Sequence, residues 1–249
     1  MQIDFNKIGA SYAAFRIGYP PKLFERLRGF EIGLPRQRVL DLGAATGLFG
    51  SELQKRGCHV LFVDPSPSLL VHPQSIVARA EAIPVADRSF DIVSAAQCWH
   101  WFDRDPAPRE VLRVLRAGGR LVVIYQMHVP MPGSVAEATE RLILKYRPGW
   151  RHANSAGVSG QVLRDMQASV FVAIESFSFD IEVPFTRDAW RGFIRTTSPV
   201  GASMSTSQLA GFEIEHEQLL RGWPGEFSVP HRVFAAIAQK PIIGSTHEE

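Results

Sequence analysis

An acidic glycine-rich loop and a second acidic residue follow two apolar runs that read as neighbouring strands. The first run, 38–43, leads into the loop 41–47, Asp-Leu-Gly-Ala-Ala-Thr-Gly, and the second, 59–64, ends at Asp64. A glycine loop before a helix brings backbone N–H groups close to a ligand, and an acid ending the next strand can accept both ribose hydroxyls. The pattern indicates a nucleoside site at the end of a parallel sheet.

The spacing of the glycines in this loop restricts the class of ligand that it can bind. Gly43 and Gly47 are spaced G-x-x-x-G, and Ala45 stands where a dinucleotide-binding loop needs a glycine for close approach of a pyrophosphate. The carboxylate of Asp41 would repel a phosphate and suits an ammonium group or a well-placed water. We therefore expect a nucleoside that carries an amino acid.

Four segments resemble one family. The loop 41–47 resembles the D-x-G-x-G-x-G motif of class I S-adenosylmethionine-dependent methyltransferases, and 80–93 is similar to the A-E-x-L-P-x-x-D-x-S-F-D stretch of their type-11 group. The segment 97–103, Gln-Cys-Trp-His-Trp-Phe-Asp, resembles Q-x-x-H-W-F-D of a branch that includes trans-aconitate methyltransferase-like enzymes. That branch tends to begin Y-x-x-x-R-P-x-Y-P, to which 12–20 is similar.

The resemblance implies S-adenosylmethionine as the cofactor, with its methionine part on the loop, its ribose on Asp64 and its adenine near Ala80 and Glu81. The chain departs from the family at Ala45 and at 78–79, where many relatives have an aspartate for the adenine amino group. The predicted cofactor-binding residues are Tyr12, Arg16, Asp41, Gly43, Ala44, Ala45, Gly47, Asp64, Pro65, Ala80, Glu81 and Gln97.

The predicted catalytic residues are His100 and Trp101, just past the fourth strand, at the sheet edge where open α/β folds bind ligands. His100 either contacts the substrate or braces the following loop. Trp99 and Trp101 either shape the cavity or stack on a ligand. Arg16 either holds a carboxylate bidentately or is a surface arginine beside core tyrosines.

The alternation of apolar strands and amphipathic helices predicts an α/β fold: a Rossmann-like seven-stranded, mostly parallel sheet with an antiparallel final strand and a helical cap. We expect a single domain over 1–249 with cap insertions at about 127–170 and 186–225. The predicted strands are 38–43, 59–64, 75–79, 90–96, 120–126, 171–185 and 228–239. The predicted helices are two short ones within 10–29, then 48–56, about 105–116, 134–146, 187–195 and 205–221.

The charge balance and cysteine content of the chain argue against several classes of binding partner. The chain has 27 Lys and Arg against 25 Asp and Glu, so its net charge of +2 gives no general attraction to nucleic acid or anionic lipid. The arginines 109, 113 and 116 would suit an acidic partner, but a solvated helix face is the preferred interpretation. The two cysteines lack metal-like spacing, so no metal or disulfide is expected. With neither a signal-peptide pattern nor a long apolar run, we expect a cytoplasmic protein away from membranes.

The predicted function is methyl transfer from S-adenosylmethionine to a small-molecule acceptor, which resemblance to the trans-aconitate branch suggests is a carboxylic acid. Three alternatives stay open: a non-catalytic cofactor-binding regulatory protein, a nicotinamide oxidoreductase and an RNA methyltransferase. The protein is expected to be a monomer or a homodimer.

Overall fold

The computed structural model describes residues 14–150, 153, 155 and 157–242. The chain divides into two compact units. The larger unit contains Tyr19–Tyr125, Ser159–Phe177 and the residues from Phe234 on, and the smaller unit contains residues up to Gly18, Gln126–Val158 and Ser178–Val233. The predicted insertions overlap the smaller unit in part, and the single-domain assignment stays a prediction.

Seven strands form one sheet in the order β3-β2-β1-β4-β5-β7-β6. The pairs β1/β2, β2/β3, β1/β4 and β4/β5 are parallel. β7 runs antiparallel to β5, because Gly118 pairs with Lys240 and Val129 with Pro230. The strands are β1 Arg38–Leu42, β2 His59–Asp64, β3 Ser75–Val77, β4 Phe90–Ala96, β5 Leu115–His128, β6 Val172–Thr186 and β7 Glu226–Gln239. The predicted fold class is confirmed.

Local sequence signals account for most of the helix starts. Pro21 begins the helix Pro21–Gly29, where its missing N–H has no intrahelical partner to lose. Ser134 and Thr186 cap their helices by accepting from the backbone N–H groups of Glu137 and Ala189, and Ser205 forms a capping box. The helices are α1 Pro21–Gly29, α2 Leu48–Lys55, α3 Pro106–Val114, α4 Val135–Tyr146, α5 Gly160–Ala168, α6 Arg187–Arg195 and α7 Thr206–Arg221.

The predicted start of β5 at residue 120, after a turn at Gly118 and Gly119, is wrong. β5 begins at Leu115, directly after α3, and both Gly118 and Gly119 lie inside the strand. Its register with β4 shifts between Phe90 and Ile92, and Gly118 adopts a φ of 73° there. The glycines therefore form an irregularity in a longer strand, with Gly118 hydrogen bonded to Lys240, and no separate turn is needed.

Two further helix predictions need correction. Sequence reasoning missed α5, whose residues 160–168 mix polar and apolar side chains after a segment rich in glycine and serine. α3 ends at Val114, two residues before the predicted end, because Leu115 already pairs with Phe90 of β4. Most of the first of the two helices predicted within 10–29 lies outside the described residues.

Each unit has its own buried side chains. In the larger unit, β1 is paired on both sides, and Leu40 and Leu42 are fully buried. In the smaller unit, Trp190, Phe193 and Phe212 belong to an apolar cluster contributed by α4, α6 and α7. Among the described helices, none is long and apolar enough to cross a bilayer.

Candidate active site

The loop after β1 adopts a left-handed backbone at alternate positions. The φ angles are 60° at Gly43, 48° at Ala45 and 76° at Gly47, which is the N-cap of α2. A side chain at Gly43 would also meet Cys98, since an added Cβ would lie 2.6 Å from the Cys98 Cβ. The glycines are therefore required for loop shape, and Ala45 occupies a conformation that favours glycine.

Asp41 lies under this loop. Its side chain is only 1% exposed, Oδ1 accepts from Ser94 Oγ at 2.6 Å and Oδ2 accepts from the Gly50 backbone N–H at 3.1 Å. Burial raises the pKa of Asp41 to about 7, against the opposing effect of the two hydrogen bonds. These contacts tie β1 to β4 and to the first turn of α2, which makes Asp41 a support of the loop.

Asp64, at the end of β2, is joined to the same loop. Its Oδ2 accepts from the Ala45 backbone N–H at 2.9 Å, and its Oδ1 accepts from the Ser66 N–H at 2.8 Å. Burial raises the pKa of Asp64, and the two backbone hydrogen bonds oppose this rise. The Ser66 side chain also hydrogen bonds to this carboxylate, but a carboxylate has about four lone-pair positions, so the group can still accept a hydroxyl proton. The neighbouring Pro65 is exposed.

The predicted adenine segment is linked to the loop after β4. Ala80 is 6% exposed and buried beside Glu81. The Oε1 of Glu81 accepts from the Asp103 backbone N–H at 2.9 Å, and its Oε2 accepts from Arg79 Nε at 3.1 Å. Glu81 thereby fixes 79–81 against the segment that follows His100.

Arg113 supports the same region, which sequence reasoning did not predict. Its guanidinium donates to the carbonyl oxygens of Ile83 and Val85, both at 2.8 Å, and pairs with Asp87 at 2.7 Å. Glu110, beside it on α3, accepts from the Ile83 N–H at 2.9 Å. The prediction of a solvated arginine face is therefore wrong for Arg113, because these backbone carbonyls lie within its reach.

The end of β4 is tightly built. Gln97 has a φ of 65°, a left-handed conformation that is uncommon outside glycine, and its N–H donates to the Ile124 carbonyl at 2.8 Å. The Cys98 Sγ donates to the Leu42 carbonyl at 3.1 Å, and burial raises the pKa of this thiol well above its usual value. Cys98 is therefore a packing residue against Gly43 rather than a nucleophile.

A short 3-10 helix, Trp99–Trp101, follows. Trp99 is buried, and its indole Nε1 donates to Asp165 of α5 at 3.1 Å. The Nδ1 of His100 lies 3.2 Å from the Tyr125 hydroxyl, and the rings of His100 and Trp101 are 4.3 Å apart. Sequence reasoning missed Asp165 and Tyr125, because only the fold brings α5 and β5 to this segment.

The larger unit contains most of the predicted site, and contacts among its residues join the ends of β1, β2 and β4. Arg16 belongs to the smaller unit, where it donates to the Thr196 carbonyl at 2.9 Å and lies 5.7 Å from the Phe193 ring. Tyr12 lies outside the described residues. The residues found in the larger unit are Asp41, Gly43, Ala44, Ala45, Gly47, Asp64, Pro65, Ala80, Glu81, Gln97, His100 and Trp101. Their roles stay predictions.

Comparison with known proteins agrees with this arrangement. Residues 40–123 match the methyltransferase domain family Methyltransf_11. An uncharacterized methyltransferase of Mycobacterium tuberculosis is 39% identical over 147 residues, which are 56% of this chain and 59% of that protein. The match thus spans less than two thirds of this relative's length.

Two other similarities extend further along the chain. The malonyl-[acyl-carrier protein] O-methyltransferase of Methylococcus capsulatus is 29% identical over 190 residues, 67% of this chain and 66% of that protein. A solved structure from Anaeromyxobacter dehalogenans, named as a type II methyltransferase, superposes with a TM-score of 0.62 at 25% identity. It covers 92% of this chain and 98% of its own.

In its domain match, its sheet order and its fold, the chain is similar to methyltransferases. The match to the family model extends from β1 into β5, the part of the sheet that contains the loop, Asp64 and His100.

Proposed function

We propose that the protein transfers a methyl group from S-adenosylmethionine to a small-molecule acceptor whose reacting group is a carboxylate. The single observation that carries the proposal is the hydrogen bond from Ala45 N–H to Asp64, which joins the glycine loop of β1 to the acid of β2. In open α/β sheets, ligands bind at the carboxyl ends of the strands where the strand order reverses, and β1 and β4 flank that point here.

The residues present fit the cofactor. Among the described residues, Thr46 Oγ1 is buried without a hydrogen-bond partner, so the loop has an unused polar atom. The lone pairs that remain on Asp64 suit the ribose hydroxyls, and the loop 43–47 would hold the methionine part. Ala80 and Glu81 would contact the adenine. When bound, the cofactor supplies a methyl group activated by the positive charge on its sulfur.

The protein contributes to the reaction mainly by positioning the methyl donor and the acceptor. Alignment of the reacting atoms and exclusion of water can contribute about 7–11 kcal/mol, more than one general base usually provides. A carboxylate acceptor is already ionised at pH 7 and needs no base. Carboxylate methylation is further supported by the relative named for O-methylation of malonyl-[acyl-carrier protein], since a malonyl group ends in a carboxyl group. The resemblance to the trans-aconitate branch supports the same acceptor class.

Calorimetric titration tests the cofactor proposal. S-adenosylmethionine and its demethylated product should bind, and NAD should not. Asp64→Ala should weaken binding at least tenfold because a charged acceptor of two hydroxyls is lost. Asp188→Ala, at an exposed position of the smaller unit, is the matched control. Unchanged affinity in Asp64→Ala would remove the ribose assignment, and binding of NAD alone would favour an oxidoreductase.

An acceptor panel tests the reaction. Formation of the demethylated cofactor should be fastest with small di- and tricarboxylic acids and slow with alcohols, amines and tRNA. Binding without turnover across the panel would favour a regulatory cofactor-binding protein. Turnover of tRNA with salt-dependent binding would favour an RNA methyltransferase. The cytoplasmic location and the monomeric or dimeric state stay predictions.

A further inference from the structure

A buried tyrosine lies against the imidazole of His100. Tyr125, on β5, is only 6% exposed, and its hydroxyl oxygen is 3.2 Å from His100 Nδ1. The two ring centroids are 5.6 Å apart. Both residues belong to the larger unit.

The surroundings of the hydroxyl determine the direction of this hydrogen bond. Among the described residues, His100 Nδ1 is the only hydrogen-bond partner of the Tyr125 hydroxyl. Burial raises the pKa of Tyr125, so the phenol keeps its proton. A buried hydroxyl proton needs an acceptor, and His100 Nδ1 lies within reach of it. Nδ1 therefore accepts, and a neutral imidazole that accepts at Nδ1 has its own proton on Nε2.

We propose that Tyr125 is a positioning residue that holds His100 in the Nε2–H tautomer. Whatever His100 contacts through Nε2, it contacts as a hydrogen-bond donor and not as a proton-abstracting base. What this tautomer implies for the acceptor rests on the proposed function and on contact between His100 and the acceptor. The group that meets Nε2 must accept a hydrogen bond, as a carboxylate oxygen does, and His100 does not activate an alcohol or an amine.

Nitrogen NMR of the protein without cofactor or substrate tests the tautomer directly. The histidine nitrogens are labelled with 15N, and the His100 signals are assigned by their absence in His100→Gln. At pH 8 we expect a protonated Nε2 and an unprotonated Nδ1. A proton on Nδ1 in the unmodified protein would overturn the proposal, whether or not any variant folds.

Tyr125→Phe tests the source of the preference, because it keeps the ring and removes the hydroxyl. We expect the Nδ1 resonance to shift and the population with a proton on Nδ1 to rise. Tyr146→Phe, which removes a tyrosine hydroxyl bound to Glu215 in the smaller unit, is the matched control and should leave the His100 signals unchanged. His100 signals identical in Tyr125→Phe and the unmodified protein would overturn the role of Tyr125.

Kinetics separate this proposal from the proposed function. If the protein methylates a carboxylic acid, Tyr125→Phe should raise the KM for that acid several-fold while leaving the affinity for S-adenosylmethionine unchanged. Absence of methyl transfer together with the expected tautomer would reject the proposed function and leave the Tyr125 assignment intact. An unchanged KM would overturn the link between the tautomer and acceptor recognition.

Discussion

Ala45 holds its left-handed φ of 48° without being glycine, and its N–H is the donor to Asp64. A left-handed conformation destabilises an L-residue by about 1–2 kcal/mol, and glycine would relieve this strain. Glycine loses more conformational entropy on folding, which offsets part of that gain in stability. We predict that Ala45→Gly raises the free energy of unfolding by about 0.5–1 kcal/mol in urea denaturation.

The neighbouring alanine provides the control. Ala44 does not have a positive φ, so Ala44→Gly relieves no backbone strain and should lower the free energy of unfolding. A variant Ala45→Gly that is no more stable than the unmodified protein would contradict the strain assigned to Ala45.

The buried carboxyl of Asp41 gives a pH-dependent prediction. Its pKa is about 7 in the folded protein and 3.8 as an ordinary value, so between these limits the folded state binds more protons than the unfolded state. The raised pKa therefore stabilises the folded protein fully below pH 4, and this stabilisation is lost as the pH rises to 7. Asn should replace the neutral carboxyl, since its amide can accept from Gly50 and donate to Ser94.

Relative to the unmodified protein, Asp41→Asn should therefore gain stability as the pH rises from 4 to 7, by up to roughly 1.4 kcal/mol per pH unit. Urea denaturation at several pH values measures the difference between the two proteins. A difference that is independent of pH would show that Asp41 is ionised in the folded protein throughout this range.

Sequence reasoning reached the residues of the site that local pattern defines. Asp41 and Asp64 lie in the last residues of β1 and β2, the glycines follow β1, and this spacing predicted that they share one sheet edge. Arg113 and Tyr125 have no such signal, because their contacts with Ile83 and His100 join distant segments of the chain. The role of a side chain in a network depends on tertiary neighbours that spacing does not reveal.

At the scale of elements, α3 braces the segment that follows the predicted adenine contacts. Arg113→Ala removes two hydrogen bonds to backbone carbonyls and should lower the free energy of unfolding by about 1–2 kcal/mol. It should also weaken cofactor binding, because 83–87 loses its support. Urea denaturation and calorimetric titration measure these two effects.

Arg109→Ala is the matched control on the same helix. The Arg109 side chain is 73% exposed and pairs only with Asp105, which is equally exposed, among its described contacts. It should change neither stability nor cofactor affinity appreciably. Equal effects of the two substitutions would mean that the helix charge, and not the bonds of Arg113, supports the segment.

Strand and helix positions were largely predictable, since β2, β4 and α6 match the predicted ranges. The start of β5 was not predictable in this way. Its glycines satisfy the local pattern of a turn, but pairing of Leu115 with Phe90 extends the strand back to α3. Tertiary pairing overrides the local preference of glycine in this case.

At the scale of the whole molecule, acid stability depends on two buried histidines of the smaller unit. His216 lies 3.3 Å from Thr139 Oγ1, and His231 Nδ1 lies 2.9 Å from the Val229 carbonyl. Burial lowers the pKa of each to about 4, well below the ordinary value of 6.5. The unfolded chain therefore binds more protons between pH 6.5 and pH 4, and folding stability falls as the pH drops through this range.

We predict a loss of at most about 3 kcal/mol per histidine between pH 6.5 and pH 4. In the double variant His216→Asn, His231→Asn the free energy of unfolding should depend less on pH over this range. His59→Asn, at an exposed position, is the control. If the double variant and the unmodified protein show the same pH dependence, the two histidines do not cause the acid sensitivity.

The position of the last strand also constrains how the chain is made. β7 lies between β5 and β6, although it is formed after both. While the ribosome synthesises the protein, β5 keeps an unpaired edge until residues 226–239 emerge. Unpaired edges favour aggregation, and pairings between distant segments form slowly. Nascent chains that stop before residue 226 should therefore depend on chaperones, and circular permutation that places β7 earlier should reduce that dependence.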